Sequence, residues 1–127
     1  MPAPSAEAIE RLKALVAALA RQTRAGRLNW KDRAHSNALV RAVVDREVFE
    51  VSLPRSTITV ASRPGITVTD QGGDILQEYM PAPLGFELER DLDLERLLGH
   101  LLTEIREEQR RALTALDGII ADVEGLS

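Results

Sequence analysis

Three carboxylates at alternate positions, in the run Asp91-Leu92-Asp93-Leu94-Glu95, are the nearest approach in this chain to a set of cation ligands. In an extended loop they would share one face and could hold an oxygen-preferring cation. No glycine-containing loop of calcium type and no second ligand cluster accompanies them in the sequence. At the start of a helix the same acids stabilise the N-terminal amides. We therefore assign no metal here and expect Asp91 or Asp93 to cap a helix.

Histidine is the side chain best suited to proton transfer near neutral pH, and the chain has His35 and His100. A hydrolase-like site around His35 would require a nucleophile, and none stands at a recognisable spacing. His100 and Glu104 are one helical turn apart, as paired metal ligands would be, but the sequence shows no second pair on another helix. We therefore predict a non-enzymatic protein with no catalytic residue, metal or cofactor.

A basic cluster surrounds the single tryptophan of the chain. Trp30 either packs across a helix end or offers a stacking platform for a base or other anionic ligand. Nucleic-acid surfaces usually interleave several aromatic side chains with basic ones, and this cluster has one, so packing is the favoured interpretation. The anion-binding alternative would use Arg21, Arg24, Arg27, Trp30, Lys31 and Arg33.

Composition limits the class of protein. The 127 residues suit one domain spanning 1–127, and 44% hydrophobic with 28% charged residues is typical of a globular chain. No apolar run approaches the roughly 20 residues that a membrane span requires. No secretory signal is visible at the start, and the absence of cysteine excludes disulfides and thiolate chemistry, so we expect a cytoplasmic protein without a membrane partner.

Charge is divided unevenly along the chain. Residues 1–69 contain eleven basic and six acidic side chains, a net charge of +5, whereas residues 70–127 contain five and fourteen, a net charge of −9. Complementary halves can satisfy each other within one molecule or between subunits. The asymmetry therefore bears on association more than on fold.

Alternating apolar residues predict a four-stranded antiparallel meander over residues 47–79, because side chains two apart share a strand face. Turns are predicted at 54–56, 63–65 and 70–74, where proline, glycine and aspartate cluster. The fourth strand has no clear alternation, so its inward face stays open between Ile75/Tyr79 and Leu76/Met80. The predicted core face of the first three strands is Phe49, Val51, Ile58, Val60, Ile66 and Val68.

Helical periodicity flanks the meander on both sides. An amphipathic helix is predicted over 6–25, with Ser5 as its N-cap and Gly26 as its terminator. Residues 36–44 could form a short second helix or a loop. A last helix is predicted over 92–124, unless Gly99 or Gly118 breaks it.

The last helix is longer than the sheet beneath it. Strands of five or six residues cannot cover a helix of about 50 Å, so its final turns need another partner. The first helix or a second copy of the chain could supply it. The exposed stripe would comprise Leu113, Leu116, Ile120 and Val123.

The run Gly26-Arg27-Leu28-Asn29-Trp30, followed by the strands and by an Asp-x-x-Gly turn at Asp70–Gly73, resembles small uncharacterised bacterial proteins. These share a first helix ending in Gly-basic-Leu-x-Trp, a short meander and a closing helix. The resemblance implies an accessory member of a multi-gene system and carries over no functional residue.

The sequence thus predicts an α+β domain in two layers, with the first and last helices on one face of the sheet. The favoured function is a protein-interaction or accessory module that self-associates through its helices. The alternative is a small nucleic-acid or anionic-ligand binding protein that uses the basic cluster around Trp30.

Overall fold

The structure, a computed structural model, describes residues 5–33, 47–62, 65–80 and 90–126. The predicted α+β architecture is confirmed, since two helices flank one antiparallel sheet. The predicted segment 36–44 and His35 lie outside the described residues. The elements are α1 (Ala6–Arg24), β1 (Lys31–Asp32), β2 (Val48–Ser52), β3 (Ser56–Ala61), β4 (Gly65–Asp70), β5 (Ile75–Tyr79) and α2 (Leu92–Glu124).

Both ends of α1 follow the predicted capping chemistry. The Ser5 hydroxyl accepts a hydrogen bond from the Ala8 amide at 3.1 Å, which satisfies one of the free donors of the first turn. Ala25 is the C-cap, so the helix stops one residue before the predicted boundary. Gly26 follows with a φ of +74°, a left-handed conformation that a side chain would disfavour. The chain therefore turns away from the helix at the glycine that the sequence indicated.

The sheet has the order β1-β2-β3-β4-β5, and each neighbouring pair is antiparallel. Its register sets Phe49 opposite Val60 and Val60 opposite Ile66, so the apolar side chains of three strands share one face. Five of the six predicted core residues are buried, and Val68 is half-buried against them. The predicted register is confirmed.

The prediction of four strands was wrong by one, because Lys31 and Asp32 form a fifth strand at the sheet edge. They pair with Glu50 and Phe49 on β2. A two-residue strand contains no alternation to detect. It exists because the chain leaving Trp30 runs beside β2, which is a consequence of the tertiary path.

A bulge explains why the fourth predicted strand, now β5, had no readable alternation. Val68 pairs with Gln77, but the next residue, Thr69, pairs with Ile75, so Leu76 is extra on β5. The bulge reverses the parity of the strand. Tyr79 is buried, whereas Ile75 and Leu76 are both about half exposed.

Helix α2 runs unbroken for 33 residues, about 50 Å, through both glycines. The Asp91 carboxylate accepts from the Leu94 amide at 2.9 Å and caps the first turn, as predicted. The predicted bounds of 92–124 are those observed. Neither Gly99 nor Gly118 ends the helix, because the loss of about 1 kcal/mol per glycine is smaller than what the surrounding turns contribute.

Helices α1 and α2 lie side by side and point in the same direction. Two turns into α1 the Lys13 ammonium lies 3.5 Å from the carboxylate of Asp91, the N-cap of α2, and at the end of α1 the Arg24 guanidinium lies 2.8 Å from Glu104. Both helices bury apolar side chains against the same cluster as the sheet face, which gives the predicted two layers. The helical part of this core is Leu12, Val16, Leu19, Leu94, Leu98, Leu101, Leu102 and Ile105.

Candidate protein-interaction surface

The end of α2 leaves the body of the protein. Its last buried residue is Ile105, residues 107–109 are half-buried, and every residue from 110 to 126 is exposed. We call residues 110–126 the overhang. Helix α1 cannot cover it, since α1 ends at Arg24 beside Glu104.

The overhang carries large apolar side chains in contact with solvent. All four residues predicted for an exposed stripe lie here, with exposed fractions of 63% for Leu113, 54% for Leu116, 52% for Ile120 and 62% for Val123. Ile119 and Leu126 extend the set. Leu126 lies beyond the helix end and outside its periodic pattern, so sequence reasoning missed it.

The exposed stripe continues the buried face of α2 without a change of direction. Leu116 follows Ile105 by 11 residues, about three turns, and Val123 follows Ile105 by 18 residues, which is five turns. Side chains separated by whole turns lie on one line along a helix. The stripe that α1 and the sheet cover up to Ile105 therefore runs on uncovered to Val123.

A groove lies where the cover ends. The Gln109 side-chain amide donates to the Trp30 carbonyl at 2.9 Å and ties α2 to the turn that follows α1. Beyond this contact a groove of about 370 Å³ opens between the turn and α2. Its lining residues are Gly26, Arg27, Leu28, Asn29, Trp30, Glu108, Gln109 and Ala112, and we call it the Trp30 groove.

Charge on the overhang is separated by position. At its base Arg110 and Arg111 contact Glu107 and Glu108, one turn earlier, at 3.0 and 3.4 Å. Its outer part carries three acids and no basic side chain, and no ion pair within the described chain involves these acids. They are Asp117, Asp122 and Glu124. The overhang therefore carries its basic residues at one end and its acidic residues at the other.

The structure places Trp30 in the core, with 2% of its surface exposed. Its indole N–H donates to the Thr23 hydroxyl at 2.9 Å, and that hydroxyl donates to the Leu19 carbonyl at 2.7 Å. Thr23 is itself fully buried, so this chain of bonds satisfies both polar groups. Trp30 therefore packs in the core, as expected, and its ring is not accessible for stacking with a ligand.

The remaining residues of the basic cluster point to different parts of the molecule. Arg24 binds Glu104 on α2, and Arg33 binds Glu50 on β2, at 2.8 Å each. The hydrogen bond from Arg24 lowers the pKa of Glu104 from its ordinary value. Arg21, Arg27 and Lys31 are exposed, and Arg27 reaches the Gln22 side chain at 3.4 Å. The fold does not bring the six together on one face.

The three alternate carboxylates at the start of α2 also separate. Asp91 caps the helix, Asp93 is exposed and lies 3.6 Å from Arg96, and Glu95 is buried. Glu95 accepts from the Arg90 guanidinium at 2.7 Å and from the Tyr79 hydroxyl at 3.0 Å. Hydrogen bonding from Arg90 lowers the pKa of Glu95, while burial raises the pKa of Tyr79. This trio joins the end of β5 to the start of α2.

Within the described ranges no group of three or more histidine, aspartate or glutamate side chains could hold a metal ion. The fold and its exposed helix define a two-layer α+β protein with one uncovered helical face. Comparisons of the chain with protein-family models, curated proteins and solved structures give no match. Neither of the two described helices has the length and apolar character needed to cross a membrane.

Proposed function

We propose that this protein is a non-enzymatic interaction module that self-associates through the overhang. The observation that carries the proposal is the apolar stripe of α2, which leaves its cover at Ile105 and, after the polar Gln109, continues in exposed residues from Leu113 to Val123. A cytoplasmic, accessory role in a bacterial multi-gene system belongs to the same proposal.

Free energy supports a covered overhang. Burying a leucine, isoleucine or valine side chain fully contributes about 1.5–3 kcal/mol relative to exposure. An isolated helix of about 15 residues is only marginally stable in water, so such a segment gains order from packing its apolar face. Scattered apolar residues are normal on a protein surface, whereas a contiguous stripe marks an interaction site.

The alternative, a nucleic-acid or anionic-ligand binding protein, has weaker support from the contacts. Its aromatic candidate is buried, and Arg24 and Arg33 already bind carboxylates of the same chain. The exposed acids of the overhang would repel a phosphate backbone. The geometry therefore favours protein as the partner.

The test is the double substitution Leu116→Glu with Ile120→Glu. We expect the wild-type protein to be oligomeric at tens of micromolar, and the variant to be monomeric, because each glutamate would be buried in the interface. Light scattering coupled to size exclusion measures the mass, and circular dichroism checks that the sheet persists.

The matched control is Thr114→Glu with Gly118→Glu, which adds the same charge at the same spacing on the opposite side of the helix, where a side chain at position 118 meets open space. This variant should remain oligomeric. A wild-type protein that is monomeric at tens of micromolar would contradict self-association. Dissociation by the control variant to the same extent would contradict the apolar stripe as the interface.

A further inference from the structure

We infer that the partner of the overhang is a second copy of this chain lying antiparallel to it, on a two-fold axis near Asp117. The inference rests on the proposed function, and it adds the direction of the partner and a second contact at the Trp30 groove. Charge, helix geometry and the position of the groove carry it independently of one another.

Two pairs of opposite charges lie along the overhang, one beside the apolar stripe and one behind it. Arg110 and Glu124 are 14 residues apart, nearly four turns, and so lie on the same side of the helix, next to the stripe. Arg111 and Asp122 are 11 residues apart, about three turns, and share a line on the side of the helix away from the stripe. Each line of charges thus has a basic residue at the base of the overhang and an acidic residue at its tip.

In an antiparallel pair, residues at equal distances on either side of the axis face each other. An axis at Asp117 sets Arg110 opposite Glu124 of the partner, because each lies seven residues from the axis. The same axis sets Arg111 level with Asp122 of the partner, at distances of six and five residues, so both lines of charge indicate one axis. Arg110 and Glu124, which lie beside the stripe, form the closer pair.

A parallel pair would bring like charges together. Its acidic tips, three carboxylates on each copy without a basic residue among positions 112–126, would lie side by side. Its helix dipoles would also point the same way, whereas antiparallel helices oppose theirs. Both electrostatic effects favour the antiparallel arrangement.

The antiparallel arrangement also supplies an occupant for the Trp30 groove. Leu126 lies nine residues beyond the axis, so in the partner it reaches the level of Glu108. Glu108, Gln109 and Ala112 form one wall of the groove, and half-buried Leu28 lies in the other. Leu126 of one copy, the most exposed leucine of the described residues, would thereby pack into the Trp30 groove of its partner.

This second contact matters for the size of the interface. Stable protein–protein interfaces bury about 800 Å² on each partner, and the facing sides of two helices of about 15 residues fall short of that. Two-fold symmetry forms the groove contact twice. The overhang and the groove together bring the interface closer to the size of a stable dimer.

Charge reversal at one end or at both ends tests the orientation. The variants are Arg110→Glu with Arg111→Glu, Asp122→Lys with Glu124→Lys, and the combination of all four. Antiparallel pairing predicts that each single-ended reversal weakens the dimer at least tenfold, because the attractions between the base of one overhang and the tip of the other become repulsions. The fourfold variant should recover to within about threefold of the wild type, because its opposite charges again face each other.

The measurement is the dimer dissociation constant by analytical ultracentrifugation at low salt, with circular dichroism to show that helix content is unchanged. The base reversal also disrupts the contacts with Glu107 and Glu108, whereas the tip reversal disrupts no described ion pair. Single-ended reversals that leave the constant unchanged, or a fourfold variant as weak as the single-ended ones, would overturn the antiparallel inference.

Cysteine cross-linking gives a second measurement, since the chain has no cysteine of its own. Leu116→Cys should form a disulfide between copies under oxidation, because the axis passes beside it. Val123→Cys should not, because the two cysteines would be about 18 Å apart along the direction of the helices. Efficient cross-linking of Val123→Cys would indicate a parallel pair.

The two proposals fail in different ways. If the wild type is monomeric, self-association fails and the orientation fails with it. If Leu116→Glu with Ile120→Glu dissociates the oligomer while the charge and cysteine variants contradict an antiparallel pair, the proposed function stands and only the orientation falls.

Discussion

The first half of α2 and the overhang both carry leucines at helical spacing but differ in how far these side chains are buried. Leu98 and Leu101 are completely buried, whereas Leu113 and Leu116, on the same helix, are more than half exposed. The helix is continuous between them, and its apolar stripe keeps one direction. Large apolar side chains occur on the stripe on both sides of Gln109, so their burial depends on what lies over the stripe.

The difference arises from the lengths of the covering elements. Helix α1 has 19 residues and α2 has 33, and α2 starts beside Lys13, about two turns into α1. Because α1 ends beside Glu104, the last 20 residues of α2, roughly 30 Å of helix, extend past it. The sheet, with strands of at most six residues, does not extend further. Self-association would give the overhang the cover that the first half receives from its own chain.

Truncation of a buried and of an exposed leucine should show the largest difference between the two parts of α2. Leu101→Ala removes a fully buried side chain and should cost about 2–5 kcal/mol of the free energy of unfolding. Leu116→Ala should cost no more than about 0.5 kcal/mol in the monomer. Urea denaturation, at a protein concentration below the dissociation constant, measures both.

This difference in stability loss between Leu101→Ala and Leu116→Ala is expected for the monomer. At high concentration Leu116→Ala should additionally weaken the oligomer, so its loss of stability relative to the wild type should grow with protein concentration. A loss above 2 kcal/mol for Leu116→Ala in the dilute monomer would mean that the overhang is covered within one chain.

A buried polar anchor at the start of α2 should show a smaller effect. Tyr79→Phe removes a hydroxyl that donates to Glu95 and accepts from the Asp91 amide at 2.8 Å. The loss leaves a buried carboxylate with one partner fewer, at a cost of about 1–3 kcal/mol. Glu95→Gln should cost a similar amount, because it replaces the anion that Arg90 binds. Thermal unfolding measures both changes.

The same anchor should make stability depend on pH. The folded pKa of Glu95 is lowered by Arg90 from its ordinary value near 4.5. The carboxylate therefore contributes stability at pH values above 4.5 and loses it as the pH falls through the lowered pKa. The stability difference between wild type and Glu95→Gln should shrink over that range. A difference that stays constant between pH 7 and pH 3 would contradict this role.

Replacing the two glycines of α2 by alanine should change stability least. Neither Gly99 nor Gly118 has a neighbouring atom within 4 Å of the position that a Cβ would occupy. Gly99→Ala should raise the global free energy of unfolding by up to about 1 kcal/mol. Gly118→Ala should instead slow amide hydrogen exchange in the overhang while leaving global unfolding of the monomer unchanged. Equal global stabilisation by both would indicate one cooperative unit.

Much of the fold was predictable because its signals are local. Ser5, Gly26 and Asp91 mark helix boundaries through short-range hydrogen bonds and backbone geometry. Strand alternation over Phe49 and Ile58 gave the register, since each strand has only two faces. The four stripe residues of the overhang were predictable from helical spacing and length alone.

The candidate site was less predictable where it depends on contacts between distant residues. The Trp30 groove joins a turn after α1 to a segment of α2 almost 80 residues later, and Leu126 follows the end of the periodic pattern. The basic cluster looked like one surface in sequence because its members are adjacent there. In the structure Arg24 turns to α2 and Arg33 to β2.

By itself the sequence determined the α+β class, the capped helices, the core face of the sheet and the apolar stripe of α2 that extends beyond the sheet. Each follows from spacing within one element. Only the tertiary structure decided that Lys31–Asp32 is a strand, that a bulge at Leu76 turns Ile75 away from the core side on which Tyr79 lies, and that the cover over α2 ends beside Trp30. These outcomes depend on which segments become neighbours in space, and that choice is set by packing between elements far apart in the chain.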